Sequence, residues 1–278
     1  MLSYRHSFHA GNFADVIKHI VLVEILDHMT KKDKSFDYID THAGAGLFDL
    51  QSTESQRMGE HVHGIGKLNA DDWPELARYF ELIRAHNHGS SLRFYPGSPS
   101  FALQCLRPHD RAWLFELHST EVELLKQHVC ESRKVKILRE DGLKGLLGLL
   151  PPASRRALVL IDPSYEIKTD YDQVVRTLVT AYKKFATGVY VLWYPVVERQ
   201  RVQRLEKQLV TSGIKNIQRF EIGLAPDSGV RGLTAAGLIV INPPWGLLQH
   251  MTSILPKLVR TLGLGGGAFH KCDVLVEE

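Results

Sequence analysis

The sequence FDYIDTHAGAG, residues 36–46, decides the fold class of this chain. Its first six residues, Phe36 to Thr41, are typical of a buried strand, and the glycine-rich turn HAGAG follows directly. Upstream, apolar residues between Asn12 and Lys31 recur at helical spacing, with polar residues on the opposite face. Asn12 stands where a helix N-cap is expected, so a helix is predicted to precede the strand.

Helix-like and strand-like segments alternate through the rest of the chain. Further strands are predicted at residues 112–117, 135–138, 157–161 and 189–193, and a terminal pair with one antiparallel member at 220–224 and 238–241. Residues 157–161 form a continuous apolar run, which is typical of a strand covered on both faces. The alternation predicts an α/β fold with a mostly parallel, seven-stranded sheet and helices on both faces.

The connection between the first two strands is too long for a simple crossover. It spans about 70 residues, whereas a strand–helix–strand unit needs only about 30 in all. The excess lies at residues 48–93, where residues 74–87 show a helical pattern and the crossover helix is expected to start only at Ser98. We therefore expect a core domain, residues 1–47 and 94–278, and a helical insertion subdomain at 48–93.

The composition excludes several classes of protein. The 278 residues carry 34 Lys and Arg against 31 Asp and Glu, a weakly basic balance that permits a nucleic-acid partner without requiring one. Three scattered cysteines form no CxxC pair, so neither a zinc finger nor a disulfide scaffold is expected, and a reducing cytoplasm is the simplest location. No apolar run is long enough to span a membrane, and no metal site is predicted.

Acidic residues follow four consecutive predicted strands, at Asp40, Glu116, Asp141 and Asp162. Ligands of an open parallel sheet bind at the carboxyl ends of its strands, where these side chains would meet. Glycines after the first strand, including Gly44, allow a ligand to approach the backbone closely. Glu116 could accept hydrogen bonds from a ribose diol and Asp141 one from an adenine amino group. The ordered set predicts a nucleoside cofactor.

Two nucleoside cofactors compete for this site. A dinucleotide motif has a third glycine that this turn lacks at the required spacing. No helix begins cleanly after Gly46, so a pyrophosphate would lack a helix N-terminus to bind. S-adenosylmethionine carries no phosphate and needs only the close approach, so the sequence favours S-adenosylmethionine.

The sequence DPSY, residues 162–165, indicates the acceptor. An Asp/Asn-Pro-Pro-aromatic tetrapeptide at this place is typical of methyltransferases that act on an amino nitrogen conjugated to a ring or carbonyl. The carboxylate of Asp162 and the carbonyl of Pro163 would accept the amino hydrogens, and Tyr165 would stack on a flipped base. Adenine in RNA or DNA and protein glutamine all remain possible acceptors, and Ser164 leaves open a non-catalytic RNA-binding protein. A second match, NPPW at residues 242–245, follows no cofactor-facing acid and is interpreted as a strand terminator.

The chain also resembles a known family, the bacterial 23S rRNA (adenine(2030)-N(6))-methyltransferase J family. The resemblance spans nearly the whole chain. It rests on residues 4–12 with Asp15, Lys18 and His19, on the turn at 40–46, and on residues 95–99, 116–118, 162–165, 193–197 and 241–245.

This resemblance implies a Rossmann-like class I methyltransferase fold with a helical insertion. It implies a monomer that methylates the exocyclic amino group of adenine 2030 in protein-free 23S rRNA during ribosome assembly. With the strand-end residues added, the expected cofactor-binding set is Lys18, His19, Asp40, His42, Gly44, Ser98, Glu116, Asp141, Gly142 and Asp162. The residues expected to serve the adenine and catalysis are Tyr4, His6, Lys18, Asp162, Pro163 and Tyr165.

One position departs from the usual tetrapeptide. Ser164 stands where the second proline is expected, and serine lacks the fixed φ of proline. The carboxylate, the carbonyl and the aromatic ring on either side of it are all retained, so we expect activity to be retained as well.

Overall fold

The computed structural model describes residues 5–89, 91–167, 169–226 and 232–278. Its α-helices are α1 (Phe13–Thr30), α2 (Thr53–Met58), α3 (Glu60–His63), α4 (Ala77–Arg84), α5 (Ser98–Cys105), α6 (Ser119–His128), α7 (Gly142–Leu149), α8 (Asp170–Lys184), α9 (Arg199–Val210) and α10 (Leu247–Leu262). Its strands are β1 (Asp37–Asp40), β2 (Leu47–Asp49), β3 (Phe94–Pro96), β4 (Arg111–Phe115), β5 (Val135–Leu138), β6 (Ala157–Ile161), β7 (Val189–Val196), β8 (Ile217–Gly223), β9 (Ala235–Ile241) and β10 (Phe269–Val276). Single 3₁₀ turns lie at His6–Phe8, Ile65–Lys67, Ala70–Asp72 and Pro74–Leu76.

Eight strands form one mixed sheet in the order β10-β8-β9-β7-β6-β1-β4-β5. From β5 to β7 all neighbours are parallel, whereas β9 is antiparallel to both β7 and β8. The seven predicted strands are all present, and β9 is the antiparallel member of the terminal pair. This is the Rossmann-like arrangement that was expected.

The predicted count of seven strands was one too low. The eighth strand, β10, pairs antiparallel with β8 at the edge of the sheet. Its sequence FHKCDVLV is mostly half-exposed and contains charged residues. An edge strand need not be apolar on both faces, so it lacks the continuous apolar run that identified the buried strands.

The sheet separates two hydrophobic layers, and side chains on its strands alternate between them. Tyr38 of β1 and Leu158 of β6 point into the layer that contains α1, α4, α5, α6 and α10. Ile39 and Val159, one residue further on, point into the layer that contains α7, α8 and α9. The apolar run of β6 is buried at every position because both faces are covered.

The connection between β1 and β4 is helical, as the sequence predicted. It begins and ends with the antiparallel pair β2 and β3, which lies apart from the main sheet. Trp73 and Tyr79 from this segment are buried in the same core cluster as α1. The segment thus packs closely on the rest of the protein, and its division into a separate subdomain stays a prediction.

The predicted polar face of helix α1 is confined to its last two turns, and the polar residues of its first half are buried instead. Asn12 caps it, accepting hydrogen bonds from the backbone N–H groups of Ala14 and Asp15. Most of its residues are buried, including Asp15, Lys18 and His19, because the sheet, α5, α10 and the inserted helices α3 and α4 surround it. Even so, no helix in the described ranges is long and apolar enough to cross a membrane. Buried ionisable side chains need partners, and those of α1 find them in the cleft described next.

Candidate active site

The carboxyl ends of β1, β4, β5 and β6 open into one cleft of about 910 Å³. Most residues predicted for the cofactor and the acceptor line it: His6, Lys18, His19, His42, Gly44, Ser98, Glu116, Asp141, Gly142, Asp162, Pro163 and Tyr165. Tyr4 lies outside the described residues, and Asp40 lies behind the cleft wall. Because these residues are scattered over more than 150 positions of sequence, only the parallel sheet brings them together.

The backbone of the glycine-rich turn donates a hydrogen bond to Glu116, which follows the neighbouring strand β4. Gly44 has a φ of +59°, a left-handed conformation that favours glycine, and its N–H donates to Glu116 Oε2 at 2.8 Å. The other oxygen of Glu116 accepts from the N–H of His118 at 2.7 Å. Burial raises the pKa of this carboxyl group. Each oxygen retains a second lone pair, so Glu116 can still accept hydrogen bonds from a diol.

Asp141 and Gly142 form the start of α7 and close one end of the cleft. Asp141 caps the helix, accepting from the N–H groups of Leu143 and Lys144 at 3.1 and 3.3 Å. Gly142 packs directly on the end of β1: a Cβ atom there would lie 2.0 Å from the Thr41 carbonyl oxygen. Only glycine fits this contact without moving backbone, so Gly142 permits the close approach of α7 to the cleft floor.

Asp40 is fully buried and organises the turn from behind. Its Oδ2 accepts from Tyr38 Oη at 2.8 Å and from Ser98 Oγ at 2.7 Å, and its Oδ1 accepts from the His42 N–H at 3.2 Å. Burial raises the pKa of Asp40 to about 6 and lowers that of His42 to about 4. The structure therefore gives Asp40 a role in holding Ser98 and the turn, while its direct contact with a cofactor stays a prediction.

A continuous chain of charged side chains crosses the floor of the cleft. Lys18 Nζ lies between Asp15 Oδ1, at 2.8 Å, and Asp162 Oδ2, at 2.7 Å. Asp15 Oδ2 in turn lies 2.8 Å from His6 Nε2. Burial opposes the charge on Lys18, but the two carboxylates outweigh it and raise its pKa above the ordinary value. Burial likewise opposes the charge on Asp15, yet His6 and Lys18 hold its pKa well below the usual range.

Asp15 is the functional residue that sequence reasoning missed. It appeared only as part of a family motif, without a role of its own. The available signal was its position three residues before Lys18 in a mostly apolar stretch of the helix, which places both side chains on one face. Its carboxylate fixes Lys18 on one side and His6 on the other, so it orients both.

The tetrapeptide DPSY follows β6 directly and ends against β7. Tyr165 has a φ of +53°, which turns its ring towards Tyr171, 4.5 Å away between centroids. Its hydroxyl donates to the Trp193 carbonyl at 2.7 Å. Trp193 also lines the cleft, with Lys18 Nζ 5.8 Å from the centre of its ring. Two aromatic side chains therefore stand beside the Asp162 carboxylate.

The second tetrapeptide, NPPW, lies at the opposite edge of the sheet. It follows β9, and because β9 is antiparallel to β7, its carboxyl end points away from the cleft. The Asn242 amide donates to the Ala186 and Gly188 carbonyls, both at 2.7 Å. Trp245 is 91% exposed. This placement agrees with its interpretation as a strand terminator.

Comparisons with known proteins identify the family. The family model "Ribosomal RNA large subunit methyltransferase D, RlmJ" matches residues 33–273. A "Ribosomal RNA large subunit methyltransferase J" from Haemophilus influenzae is 49% identical over 265 residues, 94% of each chain, and one from Escherichia coli K12 is 48% identical over the full length of both. The chain belongs to the RlmJ family. The crystal structure of a family relative from Legionella pneumophila, 37% identical, superposes with a TM-score of 0.87 over 96% of this chain and 98% of that one.

S-adenosylmethionine is the cofactor of an RlmJ-family methyltransferase, and the cleft fits it. Its walls carry the carboxylates of Glu116, Asp141 and Asp162, which suit a sulfonium cation and oppose a polyphosphate. The absence of a side chain at Gly142 lets the start of α7 pack directly on the end of β1 at the rim of this cleft. His19 adds a buried ring nitrogen, Nε2, without a partner among the described residues. No cluster of His, Cys, Asp and Glu suited to a metal ion occurs in the same ranges.

Proposed function

We propose that this RlmJ-family enzyme transfers the methyl group of S-adenosylmethionine to the exocyclic amino group of adenine 2030 in 23S rRNA. The supporting observation is the position of Asp162, which lies in the same cleft as Glu116 and Asp141 with one oxygen bonded to Lys18 at 2.7 Å. The family supplies the rRNA and its position 2030, and the tetrapeptide supplies the amino acceptor. Protein-free rRNA in the cytoplasm is the proposed substrate and the monomer the proposed active unit, as the family resemblance implies.

The acceptor nitrogen needs activation because its lone pair is delocalised into the purine ring. Asp162 Oδ1 and the Pro163 carbonyl are proposed to accept its two hydrogens and draw it towards a pyramidal geometry. When bound, S-adenosylmethionine supplies an electrophilic methyl group on a sulfonium sulfur. Methylation would make one of these two hydrogens acidic, and the Asp162 carboxylate that accepts it would take up the proton and pass it to solvent. Positioning and electrostatics supply the catalysis.

Lys18 and Asp15 are proposed to hold Asp162 in its productive orientation. The ammonium group of Lys18 fixes Oδ2, and the buried carboxylate of Asp15 fixes Lys18 in turn. A carboxylate held by a charge-assisted hydrogen bond does not need to reorganise as the reaction proceeds. Lys18 is therefore proposed to act on the acceptor through Asp162, and the contact with the cofactor that the family resemblance implied stays a prediction.

The aromatic residues beside Asp162 are proposed to receive the extruded base. An adenine within an RNA fold must leave its stack before its amino group can reach a cleft of this depth. Tyr165 and Trp193 line the cleft as one pair of rings, and His6, edge-on to the Phe48 ring with 5.1 Å between centroids, lines it as another. Tyr4 stands two residues before His6 in sequence and is proposed to act on the same side.

The test is methyl transfer from labelled S-adenosylmethionine to protein-free 23S rRNA that lacks its own modifications, followed by nucleoside analysis. Assembled large subunits, duplex DNA and glutamine-containing protein serve as the competing acceptors. Label in N6-methyladenosine from naked rRNA at position 2030 is the expected result. Label in DNA or protein instead would assign the alternative acceptors. Cofactor binding without label in any acceptor would identify a non-catalytic RNA-binding relative.

A further inference from the structure

A buried chain of hydrogen bonds connects the inserted segment to the cofactor side of the cleft. Tyr79 on α4 lies with its hydroxyl 3.0 Å from that of Tyr95 on β3. The Tyr95 hydroxyl lies 2.8 Å from His19 Nδ1 on α1. All three side chains are at most 1% exposed. The chain ends at His19, which lines the cleft and whose buried Nε2 atom has no partner among the described residues.

The proton count of this chain is fixed because its members do not ionise near neutral pH. Burial raises the pKa of both tyrosine hydroxyls and lowers that of His19 well below the ordinary value. His19 is therefore neutral and carries one proton, on either Nδ1 or Nε2. The direction of the two hydrogen bonds decides which nitrogen holds it.

One direction leaves fewer buried groups without a partner than the other, since Nε2 has none among the described residues in either case. If Tyr79 donates to Tyr95 and Tyr95 donates to Nδ1, both hydroxyl protons are used and Nε2 carries the histidine proton. If the direction is reversed, the Tyr79 proton has no acceptor among the described residues, deep in an apolar cluster that includes Phe80 and Phe101. An unmade buried hydrogen bond is unfavourable, so the first direction is the more stable.

We propose that Tyr95, supported by Tyr79, is a positioning residue that fixes His19 as the Nε2–H tautomer and so presents a hydrogen-bond donor to the cofactor. The carboxylate of the methionine part of S-adenosylmethionine is the acceptor whose chemistry suits an N–H donor in this place. Tyr79 of the inserted segment, which does not line the cleft, would thereby contribute to cofactor binding through Tyr95 and His19. The inference rests on the proposed placement of the cofactor, but the tautomer itself can be read without any ligand.

The first test reads the tautomer in the cofactor-free, full-length protein. Histidine labelled with ¹⁵N gives separate side-chain shifts for protonated and unprotonated ring nitrogens, and a His19→Asn variant assigns the signals. The expected result is a protonated Nε2 and an unprotonated Nδ1 in the wild type, with a mixture of tautomers in Tyr95→Phe. A protonated Nδ1 in the wild type would overturn the proposal, as would a Tyr95→Phe spectrum identical to the wild type.

The second test measures binding of S-adenosylhomocysteine by calorimetry, which requires no acceptor and no turnover. Tyr95→Phe is expected to weaken binding about tenfold, and Tyr79→Phe by about twofold to threefold because Tyr95 can still donate. Tyr190→Phe is the matched control, since it also removes a buried hydroxyl but lies in the other core layer. It should leave both the tautomer and the affinity unchanged.

Equal affinities for Tyr95→Phe and Tyr190→Phe would overturn the role of the tyrosines. This outcome is distinct from a failure of the proposed function. If methyl transfer to rRNA were absent but the tautomer and the affinity changed together, the acceptor assignment would be wrong and the positioning role of Tyr95 would stand.

Discussion

Two segments of this chain follow a strand and share the pattern Asp/Asn, Pro, any residue, aromatic residue: DPSY at 162–165 and NPPW at 242–245. Only the first lines the cleft. The first follows β6, which is parallel to its neighbours, and the second follows β9, which is antiparallel to both of its neighbours. Reversing a strand moves its carboxyl end to the opposite edge of the sheet. The same short motif therefore ends beside a buried ammonium group in one case and on the surface in the other.

The surroundings of the two segments differ as much as their positions. Asp162 accepts a hydrogen bond from the buried Lys18, whereas the side-chain amide of Asn242 donates hydrogen bonds to two backbone carbonyls. The aromatic residue of the first segment packs among other rings, and Trp245 in the second is 91% exposed. A tetrapeptide thus acquires a chemical role from the groups that the fold places around it.

The largest expected effect separates Asp162 from Asn242. Asp162→Ala should lower the rate of methyl transfer about 10²–10³-fold, because it removes an acceptor aimed at the reacting amino group. Asn242→Ala should leave the rate unchanged and destabilise the fold by about 1–2 kcal/mol, since it unpairs two carbonyls and keeps a φ of +52° at a residue with a Cβ. Single-turnover kinetics and urea unfolding measure the two quantities. Equal rates for both variants would remove Asp162 from the reaction.

The second effect concerns the pH dependence of the free energy of unfolding, to which the buried carboxyl group of Asp40 contributes. Asp40 has a folded-state pKa of about 6 against an ordinary value of 3.8, so the folded protein binds more protons than the unfolded chain between these pH values. Its contribution to stability therefore falls as pH rises through that window, by about 3 kcal/mol. The free energy of unfolding of Asp40→Asn, relative to that of the wild type, should therefore rise by about 3 kcal/mol between pH 4 and pH 7.

Chemical denaturation of the two proteins across this pH range is the measurement. His42 has the opposite effect on stability. Its pKa of about 4 in the folded protein lies below the ordinary value of 6.5, so its contribution to stability increases as pH rises between these two values. It is present in both proteins, so its contribution cancels in the difference between them. A constant difference from pH 4 to pH 7 would show that Asp40 titrates normally.

The third effect compares the aromatic members of the two segments. Tyr165→Ala should lower kcat/KM for rRNA about 10–100-fold, since base–aromatic stacking contributes about 1–3 kcal/mol. Trp245→Ala should change stability by no more than about 0.5 kcal/mol, as expected for an exposed side chain. It should also leave kcat/KM unchanged. A larger loss from Trp245→Ala than from Tyr165→Ala would mean that the NPPW edge contacts the rRNA.

The smallest effect comes from making the first segment more like the second. Ser164→Pro restores the usual proline and should change methyl transfer by no more than about threefold, because the groups that act on the acceptor lie on either side of it. Stability should rise by about 0.4–1 kcal/mol if the backbone already has a proline-compatible φ. Steady-state kinetics and thermal unfolding test both expectations. A tenfold loss of rate would show that the site depends on a backbone conformation at residue 164 that serine allows and proline does not.

The sequence predicted the elements with the strongest local patterns. The helix capped by Asn12, the strand that ends in a glycine-rich turn and the apolar run at 157–161 each follow from neighbours in sequence. The edge strand β10 was missed because an exposed strand has no continuous apolar run. The polar face predicted for α1 is confined to its last two turns, because the sheet, α5, α10 and the inserted helices, which no local pattern connects to α1, bury the polar residues of its first half.

By itself, the sequence determined the order of the strands along the chain, the acids that end four of them and the glycines that keep the cleft open. These are local properties, set by side-chain periodicity and by the backbone that glycine allows. Only the tertiary structure decided that Asp15, Lys18 and Asp162 form one ion-paired chain and that Tyr79 reaches His19 through Tyr95. It also supplied the reason why NPPW, already interpreted from the sequence as a strand terminator, lies outside the cleft. Such contacts depend on strand direction and on packing between distant segments, and short-range sequence patterns carry neither.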